Sequence, residues 1–212
     1  MKTFLLAVLL VIIVVIGGLW YRNAVEHPSQ PIACPMDAEI CPDGTSVSRT
    51  GLSCTFPPCP SPNVSLSNIN IAFAIPTGFT ATTLPDSASV AAYEMSAASS
   101  TADIVIRRYA IAASSTALDT IQQTAISGAS GAPVSAISFS STVLGTHRFT
   151  VVSIQRFEGT VDTAYYLARG SDVLRFDAID TSVANWTDPN LDITTLPANA
   201  GLEKLLTTLQ GE

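Results

Sequence analysis

From Phe4 to Tyr21 the chain runs eighteen residues without a charged side chain, FLLAVLLVIIVVIGGLWY. At about 1.5 Å of rise per residue a helix of that length spans roughly 27 Å, close to the hydrocarbon thickness of a bilayer. Trp20 and Tyr21 close the run, where ring side chains favour the membrane interface, and Arg22 marks the return to water. A helix buried in a soluble core would carry a polar stripe, and this stretch has none. A cleaved signal peptide would have a shorter apolar region followed by small residues at the cleavage site. Here cleavage after Ala24 places Arg22 where a small residue is wanted. A lipoprotein would need a cysteine directly after the run, whereas the first is Cys34. The sequence predicts an uncleaved transmembrane signal anchor over residues 1–22, with 4–21 in the bilayer and the remainder outside the cytoplasm.

The cysteines support that side of the membrane. Cys34, Cys41, Cys54 and Cys59 fall in one short stretch and no other cysteine occurs. An even set beside an export signal reads as two disulfides, with three pairings open. Few large apolar residues accompany them, so covalent closure must hold the segment, each loop contributing roughly 3 kcal/mol in the chain-entropy model. Zinc would favour two short C-x₂₋₄-C pairs, and only Cys54 to Cys59 has such a spacing. Prolines at 28, 31, 58, 60 and 62 stiffen the flanks. The expected organisation is an anchor (1–22), a linker (23–33), a four-cysteine module (34–60), a second linker (61–65) and a main domain (66–212).

Charge narrows the partners. The whole chain carries a net −7, and residues 23–212 hold 8 basic against 17 acidic side chains, or −9. Nucleic-acid binding draws its affinity from Lys and Arg neutralising phosphates, which this balance does not provide.

Within the main domain period-two patterning dominates. Ile69, Ile71, Phe73 and Ile75 share one strand face, ended by Pro76-Thr77-Gly78. Strands are expected over 90–95, 103–111, 134–139, 146–157, 161–169 and 173–180. Glu158-Gly159 and Gly170-Ser171 stand at hairpin distance between the last three, which makes those neighbours antiparallel. Thr116-Ala117-Leu118-Asp119 has the form of a capping box, opening a short helix with Leu118, Ile121 and Ala125 at helical spacing and Gly128 as its stop. Leu202, Leu205, Leu206 and Leu209 form an i, i+3, i+4, i+7 stripe, a helix that must bury its leucines on the sheet. The expected fold class is α+β, an antiparallel sheet with flanking helices.

The CPDGT stretch with its spaced cysteines resembles Kazal-type inhibitor modules, although four cysteines stand where that family has six, so no reactive loop is carried over. The order of elements over about 66–210 resembles the PsbP-like family: a strand ending in AIPTGF, a helix, a hairpin meander, a tryptophan and a closing LEKLLTTL helix. The resemblance lies in layout, and it implies an accessory or binding domain without catalysis of its own. No position here matches a functional residue of that family.

Residues able to do chemistry are few. His27 falls in the linker and His147 opens a strand, and no G-x-S-x-G motif exists to supply an activated serine. An envelope hydrolase using His147, or a protease-inhibitor-like cysteine module, is the alternative to a non-catalytic binding protein. Asp172, Asp177, Asp180, Asp188 and Asp192 match no cation-binding loop and read as a solvated acidic surface, with Asp177 opposite Phe176 and facing water. Alternation places Arg148 and Arg156 on one face of one strand, an anion-binding candidate unless they pair with Glu158, Asp162 or Asp177. No metal site and no cofactor are expected. The partner is expected to be a protein or envelope component, with no nucleic acid.

Overall fold

The computed structural model describes residues 10, 12–22, 34–40, 46–59, 61–96, 100–128 and 130–211. Two compact units result, Met1–Ala38 with Ser48–Pro57, and Glu39–Val47 with Pro58–Glu212.

In the first unit residues 12–22 are helical. Among the described residues no helix is long and apolar enough to cross a membrane. Part of the expected span, residues 4–9 and 11, lies outside them, as does the linker expected over 23–33. Cys34 and Cys54 form a disulfide that closes a separation of 20 residues. Cys59 is disulfide-bonded as well, and Cys41 lies outside the described residues. Met36 and Leu52 are exposed. Arg49 organises the loop, with Nε on the Asp37 carboxylate at 2.8 Å, Nη1 on the Cys54 carbonyl at 3.0 Å and its guanidinium 4.2 Å above the Phe56 ring.

The second unit is α+β. Short strands β1 (Ala38–Ile40) and β2 (Ser46–Ser48) pair with each other. Strands β3 (Val64–Leu66) and β4 (Ile71–Phe73) form an antiparallel hairpin. The main sheet is built from β5 (Thr80–Ala81), β6 (Ser89–Ser96), β7 (Thr101–Ala110), β8 (Ser140–Leu144), β9 (His147–Phe157), β10 (Thr160–Ala168) and β11 (Asp172–Asp180). Its order is β5-β6-β7-β11-β10-β9-β8, antiparallel throughout. Between β9 and β10, Glu158 and Gly159 both take positive φ (50° and 78°), the backbone of the tight hairpin turn that matches strand twist.

Helices cover both faces. α1 (Ala117–Thr124) starts on the expected capping box: Thr116 Oγ1 accepts from the Asp119 backbone N–H, and Asp119 accepts from the Thr116 backbone N–H. α2 (Pro197–Thr207) buries Leu202, Leu205 and Leu206 completely on the face formed by Ile104, Ile106, Phe149, Tyr165, Leu174 and Phe176. Its first residue is Pro197, suited to that position. The Leu196 side chain does not cap it; Asp180 at the end of β11 accepts from the Ala198 N–H at 2.8 Å instead. Gly201 lets α2 lie close to the sheet layer, because a Cβ there would stand 2.6 Å from the Phe79 ring. The opposite face holds a smaller cluster under α1: Ile121, Ala125, Val152, Ile154, Ala164, Tyr166 and Val173.

Three local expectations are corrected. α1 stops before Gly128, at Thr124 with Ala125 as its C-cap, where Arg175 Nη1 takes the Thr124 carbonyl and the Val134 N–H takes that of Ala125; Leu118 faces solvent while Ile121 and Ala125 reach the core. Residues 134–139 are not a strand. The Val134 N–H goes back to the Ala125 carbonyl at 2.8 Å, and Ala136–Ser138 turns as a 3₁₀ segment, so the strand begins at Ser140. The strand expected from Ile69 to Ile75 shortens to Ile71–Phe73, with Ile69 buried in the turn that precedes it.

Candidate functional site

The strands β7 and β11 carry arginine–aspartate assemblies on both faces of the sheet. On the α2 side, at the end of the sheet, Arg108, Asp172 and Arg169 meet. Asp172 pairs with Ala110 across β7, and its carboxylate is held at both oxygens. Arg169 donates from Nε to Oδ1 and from Nη2 to Oδ2, each at 2.7 Å, and Arg108 Nε donates to Oδ2 at 2.6 Å. Arg169 Nη1 also donates to the Ile69 carbonyl at 2.6 Å, tying the β3–β4 turn to the sheet. The Arg169 hydrogen bonds, then Arg108, hold the Asp172 carboxyl below its ordinary value despite burial.

These residues line a cleft of about 610 Å³. Its walls are the β3–β4 turn (Ser67, Asn68, Asn70), the β10–β11 turn (Gly170, Ser171) and His147 at the start of β9. Two guanidiniums against one carboxylate leave a net positive charge in a chain of net −7. The Arg108 side chain is 44% exposed, and its Nη1 and Nη2 have no partner among the described residues. The cleft therefore presents the planar donor fork that matches an oxyanion in two-point contact.

His147 sits in the cleft wall, but both ring nitrogens are engaged. Nε2 lies 3.2 Å from the Gly211 carbonyl, which only accepts, so Nε2 carries the proton; Nδ1 faces Thr146 Oγ1 at 3.3 Å. Among the described residues no serine hydroxyl or carboxylate bonds to the ring, so the orienting third group of a Ser-His-Asp set is missing.

On the opposite face Asp177 corrects the expectation of a solvated acid. It is fully buried, accepting from Arg175 Nε at 2.6 Å at one oxygen and from Arg107 Nη1 at the other. Arg107 Nε also reaches Asp86 at 2.8 Å, and Arg175 Nη1 donates to the Thr124 carbonyl at 2.7 Å, satisfying the C-terminal turn of α1. The Arg175 guanidinium stands 5.7 Å from the Tyr166 ring centroid. Asp162 completes the group 3.9 Å from Arg175, its Oδ1 buried with no hydrogen-bond partner among the described residues. Burial first, then the Asp177 charge, push its carboxyl up to about 8. Asp162 therefore holds its proton more tightly than an ordinary aspartate, beside Arg175 and the Asp177 carboxyl.

Asp172 and Asp180 are buried likewise, each with a partner, so they are not a solvated surface either. Asp188 and Asp192 do serve in turns: Asp188 Oδ1 accepts from the Asn190 N–H at 2.9 Å and Asp192 Oδ1 from the Thr194 N–H at 3.0 Å. The pair Arg148 and Arg156 is separated. The β9–β10 register shifts between Asp162, opposite Gln155, and Thr163, opposite Ser153, leaving Ile154 as an extra residue. That bulge turns Arg156 to the α2 face, where it donates to the carbonyls of Trp186 and Asp188, while Arg148 remains exposed on the other face. Neither joins a binding site with the other. Arg108 and Arg169 do not stand out in the sequence as a site; the available signal is the pair Arg169 and Asp172 flanking the Gly170-Ser171 turn.

No family model and no curated protein matches the sequence. Among solved structures the chain is similar to one from Bacteroides thetaiotaomicron VPI-5482, at 10% identity and a TM-score of 0.40. The match covers 67% of this chain and 45% of that one, so this chain spans under half of its neighbour's length.

Proposed function

We propose that this chain is a single-pass, membrane-anchored extracytoplasmic accessory protein, whose α+β head of PsbP-like layout binds a partner without catalysing a reaction. The observation that carries the reading is the Cys34–Cys54 disulfide directly downstream of the uncharged stretch 4–21. Structural disulfides persist in oxidising compartments, and an eighteen-residue apolar run is long enough to hold the chain at the membrane. The cleft at Arg108 supports binding as the activity, since it is polar, carries a net positive charge and includes donors with no partner among the described residues. The runner-up, an envelope hydrolase, is favoured only by the place of His147 in the cleft wall, and the two contacts of its ring count against it.

The test is topological. Intact cells expressing the full chain are treated with external protease and a membrane-impermeant thiol reagent, with and without prior reduction. The expected result is a protein that stays in the membrane fraction at alkaline pH, loses its head to protease and labels only after reduction. Labelling without reduction, with a protease-resistant head, contradicts the proposal.

A further inference from the structure

We infer that the Arg108 cleft is a carboxylate-binding site, with the guanidinium of Arg108 as the recognition group and Asp172 and Arg169 as the parts that position it. This deepens the binding role proposed above and rests on it. Among the described residues Arg108 is bonded through one nitrogen only. Nε is fixed on Asp172 Oδ2, which locks the guanidinium in place, and the two terminal nitrogens remain to donate. Arg169 differs: it is only 12% exposed, it uses two nitrogens on Asp172 and it gives a third to the Ile69 carbonyl. One arginine therefore builds the cleft wall and the other faces the cleft.

The surroundings fit an organic acid better than a bare ion. Ser67, Asn68, Asn70 and Ser171 line the cleft with hydroxyl and amide groups that make no side-chain hydrogen bond to described protein groups, while Ile69, Leu167 and Ala168 add apolar surface. A cavity of about 610 Å³ lies within the usual range for small-molecule sites. A planar carboxylate meets the planar guanidinium edge at two points, and the amides and hydroxyls are placed to take polar groups carried behind it. Carboxylates of this kind come from small free acids or from the end of a peptide, and both share the recognised group.

The experiment uses the full-length, isotope-labelled protein in detergent, with backbone and arginine side-chain NMR. The probes are acetate, N-acetyl-alanyl-alanine, the C-terminal amide of that dipeptide, and inorganic phosphate. Shifts are expected at Ser67–Asn70, Arg108 and Gly170–Ser171 with the dipeptide acid, and none there with the amide. Equal response to acetate and the dipeptide acid identifies a small-acid site; a stronger response to the dipeptide identifies a peptide carboxylate. Arg108→Gln is expected to weaken binding about tenfold or more, since one charge-assisted two-point contact is lost. Arg108→Lys keeps charge without the fork and falls between. Asn68→Asp, on an exposed turn that leaves the Asp172 cluster untouched, also weakens binding, and Arg148→Gln leaves it unchanged. The inference is overturned if the amide binds as well as the acid, if phosphate binds more tightly than either carboxylate, if Arg108→Gln binds like the parent, or if no probe shifts the cleft. A failed probe series in a protein that still passes the topology test sinks this inference alone.

Discussion

Arg107 and Arg108 are neighbours on one strand, and they belong to assemblies of opposite character. Arg107 points to the α1 side, where it and Arg175 enclose the fully buried Asp177 and are themselves nearly closed off. Arg108 points to the α2 side at the end of the sheet, where it shares Asp172 with Arg169 and keeps its outer edge in solvent. The chemistry is the same in both, an aspartate between two arginines. What differs is coverage. Beneath α1 buried unpaired charge is costly, and burial pushes Asp162 toward its protonated form. At the open end the extra positive charge is tolerated by water and remains usable. Closure makes one assembly part of the framework and leaves the other as a site.

The largest effect that would break this comparison is in the closed assembly. Asp177→Ala leaves two buried guanidiniums without their shared partner and is expected to cost about 3–5 kcal/mol in urea unfolding; a loss below about 1 kcal/mol would show that water already reaches the group. Asp172→Ala removes the anchor of the open assembly and is expected to cost less, about 1–3 kcal/mol, because the released Arg108 is largely in solvent and Arg169 keeps its bond to the Ile69 carbonyl. The same variant should also abolish carboxylate binding, by releasing Arg108 from its fixed position.

A pH series sharpens the contrast through its sign. Asp162 binds its proton more tightly in the folded chain than in the unfolded one. Its contribution to stability is therefore full below the ordinary value of 3.8, declines as pH rises, and is lost through about 8. Asp172, held low by Arg169, works in the other direction: its contribution is present above 3.8 and is lost as the pH falls below that value. Asp162→Asn should flatten the decline between pH 4 and 8 (~4 units of the window) and raise stability at neutral pH, because the amide has no proton to release on unfolding. A variant with an unchanged slope would mean that Asp162 is ionised in the fold. The smallest effect belongs to Arg108→Gln, expected within roughly 0.5–1 kcal/mol of the parent because the side chain is half in water; a larger loss would make Arg108 structural.

Much of this architecture is readable from residues. The Thr116–Asp119 capping box starts α1, the Leu202–Leu205–Leu206 stripe buries α2, and the Glu158-Gly159 and Gly170-Ser171 turns join antiparallel strands as their spacing implies. Alternation also puts Asp177 opposite Phe176 correctly. It fails on what lies above Asp177, because period two reports which face a side chain takes and not whether a helix covers that face. The same limit hides the bulge at Ile154: one extra residue reverses every later side chain, and nothing in HRFTVVSIQRF marks where it falls. The cleft was illegible for a related reason. Its lining comes from turns and strand ends far apart in sequence, and only the fold brings Ser67, Arg108, His147 and Asp172 together.

The contrast between a closed assembly and an open, positively charged one is tested most directly by carbon-detected titration of the aspartate carboxyls in the full-length protein. Asp162 is expected to titrate near 8 while Asp172 titrates below 3.8. If the two carboxyls titrate together in the ordinary aspartate range, the two assemblies are electrostatically alike and the distinction drawn between framework and site is wrong.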